Sequence, residues 1–152
     1  MTLALIDKGE PVLSGDKTIC SFDGKLNALY GTKIFTLLKK ETNRKGHLLG
    51  DRIIFKIAKN QYINETAINK IFIIKINDGV SKFKEINGLH ELYPIFLDKQ
   101  REDILFGDTV FDGSICNKKE LSLLLKESLK NINVYKLEGS LEFLVNKIKE
   151  LK

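Results

Sequence analysis

Residues 70–86 read KIFIIKINDGVSKFKEI, and the fold turns on how they are paired. Ile71, Phe72, Ile73 and Ile74 are apolar in succession, so Lys70–Ile76 is expected to be a central strand covered on both faces. Asp78-Gly79 suits a two-residue type I′ turn, whose two central residues both take positive φ. The hairpin so formed pairs Ile74 with Phe83 on one face and opposes Lys75 to Lys82 on the other. Opposed like charges are unfavourable, so that second face must meet water or an acid.

Upstream, Thr2–Asp7 and 17–22 are short and apolar, separated by a stretch containing Gly9, Pro11 and Gly15. They are expected to be two strands joined by a turn-rich loop. Asp23 then caps an expected helix in which Leu26, Leu29, Tyr30, Ile34, Leu37 and Leu38 recur at threes and fours. Gly31 inside that helix would cost about 1 kcal/mol relative to Ala. Residues 52–58 alternate, with Ile53, Phe55 and Ile57 on one face of a further strand. Downstream, 92–97 carry Pro94, which lacks a donor, and are expected to be an edge strand or no strand. A charged turn at 98–103 precedes a strand at 104–111 that Gly107 interrupts. Asn117 and Glu120 open a capped helix with a stripe of Leu121, Leu124, Leu125 and Leu129. A short strand at 134–137 and a helix from Ser140, with Leu141, Leu144, Val145, Ile148 and Leu151 on one side, complete the chain. The pattern predicts one α+β domain over residues 1–152, a largely antiparallel sheet with helices packed on it, ending β-α-β-α.

With 152 residues, 43% of them apolar, the chain is long enough to bury a core. Its formal charge of +5 hides two signs: residues 39–59 net +5, whereas residues 91–112 net −4. A phosphate-tracking surface is usually richer in Arg than 22 Lys and 3 Arg, and free of such an acidic block. Cys20 and Cys116 are too few for a disulfide framework and belong to no Cys-x-x-Cys pair. No signal-peptide core and no apolar run of membrane-spanning length is present. The expectation is a soluble, cytoplasmic protein that makes no contact with a membrane.

No complete catalytic signature is present, which favours a binder over an enzyme, with no catalytic residue, no metal ligand and no cofactor assigned. Gly15-Asp16-Lys17-Thr18 resembles the tail of a phosphate loop, but Asp16 stands where Gly must precede the Lys and Pro11 where the first Gly belongs. Asp23-Gly24-Lys25 has the carboxylate and lysine of a metal nuclease, yet the same triplet makes an ordinary turn. His47 and His90 are each placed beside charged residues, with nothing in the sequence to bring them together. Lys39, Lys40, Arg44, Lys45 and His47 form the alternative site, a nucleic-acid contact or that of a nuclease-type toxin or effector. The stretch lacks an aromatic platform for base stacking, because Phe55 falls on the apolar face. Against it stands the acidic block, in which Asp98, Glu102, Asp103 and Asp108 could steer and register a basic protein partner.

The order of strand (105–111), capped helix (117–131), short strand (134–137) and closing amphipathic helix (140–151), with the early turn Gly9-Glu10-Pro11-Val12, resembles small bacterial immunity proteins. The nearest layout is the contact-dependent growth inhibition type. That resemblance implies a compact α+β binder that covers a toxin's active site and performs no catalysis. Immunity proteins against nucleases tend to be acidic, so the basic balance here departs from that pattern and gives weight to the local acidic block.

Overall fold

In a computed structural model, described for residues 1–15, 18–22, 24–31, 33–94 and 118–152, the chain is α+β with largely antiparallel sheets. The elements run α1 (Thr2–Asp7), β1 (Thr18–Phe22), β2 (Leu26–Gly31), β3 (Phe35–Leu38), β4 (His47–Leu49), β5 (Arg52–Phe55) and β6 (Thr66–Ala67). There follow β7 (Lys70–Ile76), β8 (Ser81–Ile86), α2 (helical over 88–94), α3 (Lys118–Lys130), β9 (Asn133–Gly139) and α4 (Leu141–Leu151). Three sheets form, ordered β1-β2-β6, β3-β5-β4 and β7-β9-β8. No helix among the described residues is long and apolar enough to cross a membrane. Contacts gather into two compact units, Met1–Ser21 with Asn27–Thr66, and Phe22–Leu26 with Ala67–Lys152.

Two expectations fail in the first unit. Thr2–Asp7 is a helix, not a strand, because Leu3 and Ile6 at i and i+3 turn one face onto the core and Gly9 supplies its end. With Gly9 at φ +85°, its N–H reaches the Ile6 carbonyl at 2.9 Å and the Glu10 N–H reaches Leu5 at 3.1 Å, a Schellman closure. Residues 26–38 form β2 and β3 in place of the expected helix. Leu26 and Ala28 are buried while Asn27 and Leu29 are half-buried, a period of two, and Gly24 at φ +80° turns the chain ahead of them. Leu26 through Leu38 fits both periods, and strand pairing decides between them.

The core of this unit is Ile6, Val12, Phe35 and Phe55, with Leu3, Leu37, Ile53, Ile57 and Tyr62 packed against it. Phe35 is directly opposite Phe55 in the β3–β5 register, and their rings stack at 5.8 Å. Ile53, Phe55 and Ile57 share this apolar side, as their alternation predicts.

In the second unit, Lys70–Ile76 is a strand but lies at a sheet edge, and the central strand is β9. β9 runs parallel to β7 and antiparallel to β8, with Val134, Tyr135 and Leu137 buried. It enters between the two arms of the expected hairpin without changing their register. Ile74, Leu137 and Phe83 lie in one row, and Lys75, Glu138 and Lys82 in the next. Neither Asp78 nor Gly79 takes positive φ, so the turn is not type I′. The arms are two strand spacings apart, roughly 9–10 Å, which no two-residue turn spans. Asn77 makes the bend instead: its side chain accepts from the Gly79 N–H at 3.2 Å, and its own N–H reaches Gly139 at 2.9 Å.

Helix α4 covers the Tyr135–Leu137 side of the sheet. Its N-cap Ser140 accepts from the Phe143 N–H at 3.2 Å, Leu144 and Val145 are buried, and Lys147 sits 4.9 Å from the Phe83 ring centre. Leu141, expected in the buried stripe, is exposed, and so is Leu124 of α3, whereas Leu129 is buried. Residues 92–94 are helical, so the edge-strand alternative for 92–97 fails there. α2 rests on the opposite side of the sheet, where a Cβ at Gly88 would come within 2.5 Å of Val134. A helix, a strand and a helix close the chain. The strand expected before them, 104–111, lies outside the described residues.

Candidate functional site

The basic segment folds around a tight hairpin in the first unit. β4 pairs antiparallel with β5, His47 opposite Ile54, Leu48 opposite Ile53 and Leu49 opposite Arg52. Gly50, at φ +59°, occupies the first central position of the two-residue turn, where a type II′ hairpin requires it. Gly50-Asp51 between two apolar segments was the available sequence signal for this hairpin.

Lys39 and Lys40 form a 3₁₀ turn after β3, Arg44 and Lys45 lie in the approach to β4, and His47 opens β4. All are exposed apart from Arg44. Arg44 donates to the Asp7 carboxylate and lies 5.4 Å from the Phe55 ring centre. Its charge is engaged within the unit, so the expected phosphate-binding set is reduced by its only guanidinium.

The same geometry presents apolar groups among the cations. β4 is an edge strand, and the sheet order leaves its far side without a strand among the described residues. Leu48 is 51% and Leu49 62% exposed, with Leu48 on the Ile53 side of the sheet and Leu49 on the Arg52 side. Edge strands are commonly kept short and flanked by charge to limit unwanted pairing. Here three residues suffice to show an apolar side chain on each face.

Asp98, Glu102, Asp103 and Asp108, the expected partner contacts, lie outside the described residues, as do Asp16, Asp23 and Cys116. His90 is exposed on α2, and His47 is exposed in the other unit. Cys20 is a free, half-buried thiol whose pKa burial pushes up, which disfavours the reactive thiolate. Among the described residues no group of three or more His, Cys, Asp and Glu is placed to hold a metal.

A second charged surface, which segment arithmetic could not reveal, lies on the sheet of the second unit. In the β7-β9-β8 register Lys75, Lys82, Lys84, Lys136 and Glu138 fall on one face, beside the apolar row Ile71, Val134 and Ile86. Glu138 accepts from Lys75 at 2.9 Å and from Asn77 at 2.8 Å, and these bonds hold its carboxyl below its ordinary pKa. Lys136 pairs with Glu91 of α2 at 2.7 Å. Lys82 and Lys84, both exposed, form no ion pair among the described residues.

No protein-family model, no curated protein and no solved structure matches this chain significantly.

Proposed function

We propose that this chain is a protein-binding module, in concrete form an immunity-type protein that binds and neutralises a cognate bacterial toxin in the cytoplasm. The observation that carries the reading is β4: an edge strand whose leucines are half or more exposed, set among Lys39, Lys40, Lys45 and Arg52. An extended partner segment can add to such an edge through main-chain hydrogen bonds, with side-chain contacts to Leu48 and Leu49 on alternate faces. Cations around the strand favour an acidic rim on that partner. A nucleic acid, by contrast, would leave two exposed leucines without a purpose. The acidic block with Asp98, Glu102, Asp103 and Asp108 supplies, on sequence grounds, a further contact of opposite sign.

Co-expression with the product of the adjacent gene tests this. The chain is expected to copurify with that product and to restore growth if it is toxic. The Leu48→Asp/Leu49→Asp variant is expected to lose both effects while keeping its circular dichroism, and charge reversal at the four acidic positions is expected to weaken them. Absence of copurification and of rescue refutes the reading. A mobility shift of nucleic acid that disappears in a Lys39→Glu/Lys40→Glu/Lys45→Glu variant would replace it with the nucleic-acid alternative.

A further inference from the structure

We infer that the lysine-bearing face of the β7-β9-β8 sheet, with Lys75, Lys82, Lys84 and Lys136 around Glu138, is a docking surface for an acidic protein segment. The inference rests on the protein-binding reading, but it concerns a different unit from β4 and contact through side-chain charge in place of strand addition.

Lysines on exposed edge strands have an ordinary explanation, since they discourage edge-to-edge pairing. That explanation covers Lys75 on β7 and Lys82 and Lys84 on β8, which are both edges of the sheet among the described residues. It does not cover Lys136, which stands on the central strand directly opposite Lys84. A like-charge pair facing across neighbouring strands costs stability and protects no edge. Glu91 offsets the charge of Lys136, and Glu138 bonds Lys75 and attracts Lys82 across the register, yet Lys82 and Lys84 are both exposed and form no close ion pair among the described residues. Two exposed lysines without a close ion pair among the described residues, beside two already oriented by carboxylates, form a preorganised receptor for carboxylates.

Two features select protein over nucleic acid as the occupant. The aromatic rings of this sheet, Phe72, Tyr135 and Phe83, stack in succession on the opposite face, under α4, so among the strands described no base-stacking platform accompanies the lysines. Glu138 also stands at the centre of the cluster, between Lys75 and Lys82. A continuous phosphate backbone would meet that carboxylate unfavourably. A peptide, whose charges are discrete, can place its carboxylates over the lysines and a neutral or basic residue over Glu138.

The test uses fluorescence anisotropy of the full chain with two labelled probes, a twelve-residue peptide (Glu-Ser-Asp)4 and a fifteen-nucleotide oligothymidylate. The peptide is expected to bind at about 50 mM salt and to lose about tenfold in affinity in Lys82→Gln/Lys84→Gln, whose fold is checked by circular dichroism. Lys39→Gln/Lys40→Gln and Leu48→Asp/Leu49→Asp should bind the peptide within about twofold of the native chain. No peptide binding, or an equal loss in the Lys39→Gln/Lys40→Gln variant, overturns the assignment. Tighter binding of oligothymidylate that is lost in Lys82→Gln/Lys84→Gln overturns it in favour of nucleic acid. Failure of toxin rescue with these outcomes intact would instead count against the immunity reading alone.

Discussion

Glu138 shows how a single residue settles a conflict that two strands could not. A two-stranded hairpin would force Lys75 against Lys82, and the inserted strand places a carboxylate between them. Because the folded state lowers the pKa of Glu138, its contribution is fully present above the ordinary carboxylate range. It is lost as pH falls through the lowered folded value. Glu138→Gln is therefore expected to be less stable than the native chain near neutrality, with the difference shrinking on acidification through that window. Urea midpoints at neutral and acid pH measure it, and a difference independent of pH would contradict the ionic role. The sequence carried half of this, in the requirement that the lysine face meet water or acid. It could not name Glu138, which lies 63 positions from Lys75.

At the scale of elements, two glycines exchange the importance that their local sequences suggest. Gly79 lies in an Asn-Asp-Gly turn and is expected to need positive φ, but does not take it, and its side-chain direction is open except for Asn77 Oδ1 at 3.7 Å. Gly9, expected only as part of a turn-rich loop, closes α1 at φ +85°. Gly9→Ala is expected to destabilise by about 1 kcal/mol or more, whereas Gly79→Ala should be neutral or slightly stabilising. Thermal melts of the two variants check the ranking, and the reverse order would contradict the turn geometry. The same contrast marks how far elements were legible. β1, β5, β7, β9 and α4 follow from periodicity, α4 also from its Ser140 cap, and α3 is a helix where one was expected, although its expected cap Asn117 lies outside the described residues. α1, β2 and β3 do not follow from periodicity, because Leu26 to Leu38 fits two periods and Thr2–Asp7 is too short for either to dominate.

For the molecule as a whole, charge was the least legible property. Summed along the chain, 39–59 is the one strongly basic segment, and it folds into the hairpin with β4. The lysine face draws on three strands, and each of its four lysines has an acid beside it in sequence, across the sheet or on α2. Its residues are scattered between segments that net only +1 over 60–90 and +3 over 113–152. Only the register of a central strand from the distant end of the chain brings them together.

That placement of β9 also dictates when the second unit can be completed. During synthesis, β7 and β8 leave the ribosome before the strand that separates them exists, and each holds open backbone edges until residue 139 has emerged. The run Ile71–Phe72–Ile73–Ile74 is meanwhile available to pair with another copy of itself, a long-range assembly step that is slow by its topology. A chain truncated after Lys130 is expected to aggregate, and a separate peptide covering 131–152, supplied during refolding, should restore soluble yield. Soluble, folded behaviour of the truncated chain would show that β7 and β8 can close on each other directly. Nascent chains are thus most vulnerable in the interval between residues 86 and 139, so a holding chaperone has its strongest effect on yield there.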